Sequence, residues 1–185
     1  MVLYNKWMIK KLMLIIAALL MFNGIAQAWT HSASGMHRES KRAAPVAFSA
    51  TVTHVTDGDT IWVSKGRGEQ AIDIRLQGID APEICQDYGK FAQAALAHHV
   101  LHQTVSVTSK ARDKYGRMVA KVSMGNQDLG AWLVFSGHAW SNHYRQSLGT
   151  YGQQETAARQ AGRGLWASDS PMEPKVFRKK TKCHR

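Results

Sequence analysis

Cysteine is scarce in this chain, and its scarcity limits the kinds of site that the chain can form. Only Cys85 and Cys183 are present among the 185 residues, with no CxxC pair and no set of Cys and His at the spacing of zinc ligands. A structural zinc site needs four such ligands, so none is supported. In an exported protein the two cysteines could form a disulfide, but the sequence leaves two free thiols open as well.

Acidic residues are also few. The sequence has 13 Asp and Glu against 24 Lys and Arg, which gives a formal net charge of +11. This excess favours an anionic partner, either nucleic acid or a membrane surface. The membrane surface is the weaker alternative because the sequence after its N-terminal segment shows no clear basic amphipathic helix.

The apolar run near the N-terminus, Leu12–Phe22, is too short to be read as a membrane span. It has 11 residues, whereas a spanning helix needs about 20. Lysines precede it and Ala26-Gln27-Ala28 follows it, so we predict a cleaved signal peptide at residues 1–28, with a membrane anchor as the alternative. We therefore expect an exported protein, periplasmic or secreted, with no stable membrane association after cleavage and a flexible lead-in at residues 29–45.

The rest of the chain alternates between strand and helix patterns. Strands are predicted, in chain order, at Phe48–Thr56, Thr60–Ser64, Gln70–Leu76, Thr104–Ser109 and Met118–Met124. Helices are predicted at Tyr88–Gln103, Asp128–Phe135 and Tyr151–Ala161. In the first helix we expect a buried stripe formed by Phe91, Ala95, Leu96 and Val100.

Three strands, a helix and two further strands follow the order of an OB-fold. We predict an α+β, mainly β fold, namely a five-stranded OB-fold β-barrel with three helices, in a domain at residues 46–168. A basic C-terminal tail at residues 169–185 follows it. That tail is expected to be either a solvated terminus or an arm that binds polyanions.

Three short segments carry the charged residues that could perform chemistry. Asp57–Thr60 reads DGDT, and it is followed by a strand end that delivers Arg75 and then Asp80 and Glu83 around a bend. The third segment, Asp113–Arg117, reads DKYGR. Taken singly, each is explained equally well by a solvated turn, a surface ion pair or a hairpin loop. Together, acids and arginines of this kind suit a site for a metal and an anion.

The ordered set of DGDT, RLQGIDAPE at Arg75–Glu83 and DKYGR resembles the thermonuclease family, of which staphylococcal nuclease is the best-known member. The resemblance runs from Val46 to Trp166. It implies an OB-fold nuclease that uses Ca²⁺ to hydrolyse phosphodiester bonds of DNA, with RNA left open as a second substrate. It also implies cleavage that releases the 5′ oxygen and leaves 3′-phosphate ends.

The resemblance assigns metal ligands to two of these segments. Asp59 and Asp80 would bind Ca²⁺ through their carboxylates, Ala81 through its main-chain carbonyl, and Asp57 would lie behind them as an acid close to the metal. Calcium is a hard cation that prefers oxygen ligands, so this donor set suits it.

The remaining assignments concern the scissile phosphate. Glu83 would hold the attacking water and act as the general base, while Arg75 and Arg117 would grip the phosphate and stabilise the charge that builds up on it. Lys114 and Tyr115 would contact the nucleic acid by charge and by stacking.

A catalytically inactive, nuclease-like module that binds nucleic acid is the alternative function. Such a module is expected to have lost the acids of the site. This chain retains them. A monomer is expected in either case.

Overall fold

A computed structural model describes residues 45–183 of the protein. The predicted signal peptide and all but the last residue of the predicted lead-in lie outside the described residues, as do residues 184–185. The strands of the described part are β1 (Ala47–Asp57), β2 (Thr60–Ser64), β3 (Ile72–Leu76), β4 (Ile79–Asp80), β5 (Thr104–Arg112), β6 (Met118–Met124), β7 (Gln127–Asp128) and β8 (Trp140–Ser141).

The long strands close into a five-stranded mixed barrel. β1, β2 and β3 form an antiparallel meander, and β5 and β6 extend it antiparallel from the other edge of β1. The barrel closes through a parallel pairing of β3 with β6, in which Arg75 is opposite Val119. This arrangement confirms the predicted OB-fold, because the helix between β3 and β5 is the one that the fold requires.

The barrel interior is filled by residues that alternate along its strands, as expected when every second side chain faces inward. β-branched residues dominate this core, and their packing explains why these segments form strands rather than helices. Its fully buried members from the strands are Val52, Ile61, Val63, Ile74, Val107 and Val122, among others.

The helices of the described residues are α1 (Gly89–Val100), α2 (Leu129–Phe135), α3 (Gly152–Gln160), a 3-10 helix (Gly164–Ala167) and α4 (Pro174–Lys180). The first three α-helices match the predicted ones. The expectation of three helices is nevertheless wrong, because α4 forms inside the segment predicted as a basic tail. Its first residue, Pro174, is buried and suits the first helical turn, where no N–H partner is lost.

The buried face of α1 also differs from the predicted stripe. Phe91 is 71% exposed, and its place in the core is taken by Ala92, beside Leu96 and Val100. The β1–β2 turn explains this, because a Cβ added at Gly58 would lie 2.8 Å from the Cβ of Ala92. The turn approaches α1 so closely that only a small residue fits on the inner face of the helix.

A disulfide joins Cys85 to Cys183 across 98 positions of sequence. It ties the segment that carries α4 to the loop in front of α1. The question that the sequence left open is therefore resolved in favour of the bond. Among residues 45–183, no helix is long and apolar enough to cross a membrane.

Candidate active site

The β1–β2 turn and the bend after β4 are pressed together at one end of the barrel. A Cβ at Gly58 would lie 2.7 Å from the Cβ of Ala81, so only glycine permits this approach. The turn is held by the Asp57 carboxylate, which accepts a hydrogen bond from the Asp59 N–H at 3.0 Å. Asp57 thus shapes the turn that presents Asp59, in line with its predicted place behind the site.

Asp59 is nearly inaccessible to solvent, with 2% of its surface exposed. Its Oδ2 accepts a hydrogen bond from the Ala81 N–H at 2.7 Å, and its Oδ1 accepts one from the Thr60 hydroxyl at 3.2 Å and pairs with the Arg75 guanidinium. Burial raises the pKa of Asp59 to about 7, with a further rise from the charge of Asp57, although Arg75 opposes the change. The site therefore holds a carboxylate whose charge depends on the cations beside it.

Arg75 connects the two acids that were predicted to bind metal. Its position on β3 places it opposite Thr60 of β2, so its side chain starts beside the β1–β2 turn. One arm of the guanidinium pairs with Asp59, and Nη2 donates to Asp80 Oδ1 at 3.1 Å. A single planar fork thus spans both carboxylates, which places them close together.

Arg117 reaches the same end of the barrel from the β5–β6 loop. Its Nε donates to Asp113 Oδ2 at 2.8 Å, and its Nη1 donates to the Thr60 hydroxyl at 3.4 Å. Slight burial favours the neutral acid, but hydrogen bonds from the Arg117 side chain and from two backbone N–H groups hold the pKa of Asp113 below its usual range. Asp113 is therefore an anion that orients Arg117 toward the β1–β2 turn.

Glu83 and Asp80 share a partner that the sequence did not indicate. Arg178 of α4 donates from Nη2 to Asp80 Oδ2 at 2.8 Å, and from Nη1 to Asp80 Oδ1 at 3.0 Å and Glu83 Oε1 at 2.9 Å. The tail is thus not simply a solvated terminus, and that alternative is wrong, whereas an arm that binds polyanions stays a prediction. Its placement depends on a contact between positions that are far apart in sequence.

Lys114 and Tyr115, the two residues predicted to contact nucleic acid, lie at the surface of the β5–β6 loop that also carries Arg117. Tyr115 is 72% exposed, and its ring is 5.0 Å from Lys114 Nζ and 5.4 Å from the guanidinium carbon of Arg117. Ala81, predicted as a carbonyl ligand, is buried and points its N–H at Asp59. These positions are compatible with the predicted roles but do not test them.

The structure therefore links the two predicted carboxylate ligands, the predicted base and the two predicted phosphate-binding arginines, which are Asp59, Asp80, Glu83, Arg75 and Arg117. Arg75 joins Asp59 to Asp80, Arg178 joins Asp80 to Glu83, and the Thr60 hydroxyl lies between Asp59 and Arg117. Sequence reasoning did not identify Thr60, Asp113 or Arg178 as parts of this network. Thr60 and Asp113 lie inside the DGDT and DKYGR segments, so their closeness in sequence to the site residues could have indicated a role. Arg178 is far from the site residues in sequence, and nothing there indicated its position.

Comparison with known proteins identifies the family. The model of the family described as staphylococcal nuclease homologue matches residues 73–168. A protein named "Uncharacterized endonuclease" from Escherichia coli O157:H7 is 38% identical over 128 residues, which cover 69% of this chain and 82% of that protein. A protein of the same name from Haemophilus influenzae is 32% identical over 133 residues, or 72% of this chain and 74% of the relative. "Micrococcal nuclease" from Shigella flexneri is 35% identical over 146 residues, or 73% and 83%. With a family model that matches more than half of its length, this chain is a member of the staphylococcal nuclease homologue family.

Proposed function

We propose that the protein is a nuclease that uses Ca²⁺ to hydrolyse phosphodiester bonds of DNA, with RNA as a second candidate substrate. The observation that carries the proposal is the convergence of Asp59, Arg75, Asp80, Glu83 and Arg117 in one contact network at the end of the barrel. The names of the relatives support the reaction class. The finer assignments rest on the chemistry of the residues and on the family resemblance.

The residues fit a hard divalent cation by donor type. Asp59 and Asp80 supply carboxylate oxygens that are held close together by one guanidinium. Within residues 45–183 no cluster of three or more His, Cys, Asp and Glu side chains forms a metal site, so main-chain carbonyl oxygen and water would complete the shell. Calcium accepts such mixed oxygen shells. When bound, the ion would supply positive charge beside the scissile phosphate.

Glu83 is the acid that we propose to act on water. Its side chain is half-buried and lies next to Asp80, with which it shares the Arg178 guanidinium. In the proposed reaction Glu83 takes a proton from a water molecule as the water oxygen bonds to phosphorus. The bond from phosphorus to the 5′ oxygen breaks, and that oxygen takes up a proton from solvent to become a 5′-hydroxyl, so the other product carries a 3′-phosphate.

The two arginines act on the phosphate. Attack at phosphorus adds charge to the nonbridging oxygens, and planar guanidinium groups can bind such oxygens bidentately. Arg117 is held in place by Asp113, and Arg75 by Asp59 and Asp80. Both guanidinium groups are thus oriented before the substrate binds. Such orientation favours stabilisation of the transition state over non-specific attraction of the phosphate. Lys114 and Tyr115 extend the contact surface along the nucleic acid.

We place the protein outside the cytoplasm, in the periplasm or the medium, on the strength of the predicted signal peptide. The Cys85–Cys183 disulfide supports this location, because disulfides persist mainly in oxidising compartments. Action as a monomer without stable membrane association belongs to the same proposal.

The alternative, an inactive module that binds nucleic acid, is disfavoured by the intact set of acids and arginines. One assay separates the two functions. Cleavage of single-stranded DNA, double-stranded DNA and RNA is followed in Ca²⁺ and in excess EGTA, and the products are tested for 3′-phosphate ends. The proposal predicts chelator-sensitive cleavage with 3′-phosphate products. Binding without cleavage in Ca²⁺ would establish the alternative.

A further inference from the structure

The C-terminal segment lies over the candidate active site. Helix α4 carries Arg178, whose guanidinium binds both oxygens of Asp80 and one oxygen of Glu83 at 2.8–3.0 Å. These are the acid proposed to bind metal and the acid proposed to activate water. The contact joins residues 98 and 95 positions apart in sequence, so it reflects how the segment folds back onto the barrel.

The Arg178 contact and the proposed chemistry need the same oxygen atoms. With Arg75 also donating to Asp80 Oδ1, both oxygens of Asp80 are paired with guanidinium groups. A metal ion bound at Asp80 would lie close to the Arg178 guanidinium at the same two oxygens, and the repulsion between the two cations means that each weakens the binding of the other. The Glu83 oxygen that accepts from Arg178 is likewise engaged.

The segment is anchored at two points beside the acids. Cys183 is bonded to Cys85, which is two positions after Glu83, and the Gln86 side-chain amide donates to the Met172 carbonyl at 2.6 Å. These anchors flank α4 and keep Arg178 near the acids even when its contact opens. Tethering of this kind raises the effective concentration of a group at its target.

The contact itself is able to open. Arg178 is exposed and the side chains of Asp80 and Glu83 are partly exposed, so water and ions reach all three groups and compete for the contact. A tethered contact that ions can reach is suited to competition, since it closes readily and yields to a ligand with higher affinity.

We propose that Arg178, held in place by the Cys85–Cys183 tether, competes with the metal ion for Asp80 and Glu83 and so restrains the nuclease. This inference rests on the proposed function. The opposite role, in which Arg178 is a third arginine that grips phosphate, is the other outcome of the test, because Arg75 also has both terminal nitrogens at carboxylates. The two roles predict opposite effects of removing Arg178.

The test measures Ca²⁺ binding to the purified protein by titration calorimetry, without substrate. Arg178→Gln is expected to bind Ca²⁺ about tenfold more tightly than the wild type, which is the shift expected if about one molecule in ten is open at rest. Lys179→Gln is the matched control, because it removes one positive charge from an exposed position of the same helix. Its effect should be much smaller. A Cys85→Ser/Cys183→Ser variant should shift in the same direction as Arg178→Gln.

Hydrogen exchange supplies a second readout. Coupling between two binding events is reciprocal, so Ca²⁺ that displaces Arg178 must weaken the docking of α4. Amides of residues 175–180 should therefore exchange faster when Ca²⁺ is added to the wild type, and Arg178→Gln should show fast exchange without it.

The possible failures are distinguishable. Unchanged or weaker Ca²⁺ binding by Arg178→Gln overturns the competition while leaving the proposed function standing. Absence of Ca²⁺ binding in the wild type and in every variant overturns both the competition and the metal-dependent part of the proposed function.

Discussion

The guanidinium of Arg75 pairs with the carboxylate of Asp59, an acid with 2% of its surface exposed. This pair lies where the first two motif segments of the sequence meet. It gives the site a buried acid whose charged form is favoured by the cation beside it, and it ties the chemistry of the site to the stability of the barrel.

Replacement of Arg75 is therefore expected to destabilise the protein as well as inactivate it. Arg75→Gln leaves Asp59 buried without its cation, a change that costs on the order of 3 kcal/mol in free energy of unfolding. Arg75→Lys keeps the charge and should cost less, although it loses the fork that spans both acids. Urea denaturation without metal measures both variants. Equal stability of Arg75→Gln and the wild type would show that the pair does not hold Asp59.

Arg117 and Asp113 are expected to affect catalysis with little effect on the fold. Arg117→Lys should lower the cleavage rate about 10²- to 10³-fold, the usual effect of losing one donor to the transition state. Asp113→Asn leaves Arg117 present but less firmly oriented, so the cleavage rate of this variant should fall by less, on the order of tenfold.

Steady-state kinetics separates positioning from binding in this pair. Asp113→Asn should lower kcat more than it raises KM, whereas a merely structural role for Asp113 would leave kcat unchanged in the folded protein. Restored activity in Asp113→Glu, which keeps the carboxylate, is the expected control result.

The disulfide is expected to stabilise the protein through its long loop. Cys85 and Cys183 are 98 positions apart, and a loop of that length contributes up to about 4.7 kcal/mol in the chain-entropy model. The Cys85→Ser/Cys183→Ser variant should therefore unfold at a lower urea concentration than the oxidised wild type. An unchanged midpoint would show that the C-terminal segment detaches before the barrel unfolds.

His138 is expected to make the stability depend on pH. Burial lowers its pKa below the ordinary value of 6.5, and its ring packs against Tyr88 and Trp132. The unfolded chain therefore binds a proton more readily, so this contribution is complete above pH 6.5 and is lost as the pH falls through the lower folded pKa.

Urea midpoints measured at several pH values on both sides of 6.5 test the role of His138. His138→Gln should flatten the acid-side loss of stability, while His98→Gln, at an exposed position of α1, should not. The same slope in wild type and His138→Gln would exclude His138 as its source.

The sequence predicted which residues lie together where short segments decide it, and it missed the residues whose positions depend on distant contacts. Asp59 and Asp80 could be placed because a strand end and a tight turn fix their neighbourhood locally. Phe91 was wrongly predicted to be buried, because the close approach of Gly58 decides which face of α1 lies inward. Helical periodicity in the sequence does not reveal that approach. Helix α4 was missed although α2, which also has seven residues, was predicted, because the Asp128 side chain caps α2 whereas no side chain caps α4. Its position, and that of Arg178, depends on the disulfide and on the acids across the fold.

The measurement that tests the account most directly is the cleavage of DNA by Glu83→Gln in saturating Ca²⁺. Glu69→Gln is the matched control, because it removes the same charge from an exposed position between β2 and β3. We expect Glu83→Gln to fold normally and to bind Ca²⁺, yet to cleave about 10²- to 10⁴-fold more slowly, the range lost with a general base. Glu69→Gln should cleave at the wild-type rate. Wild-type cleavage by Glu83→Gln would contradict the assignment of the active site.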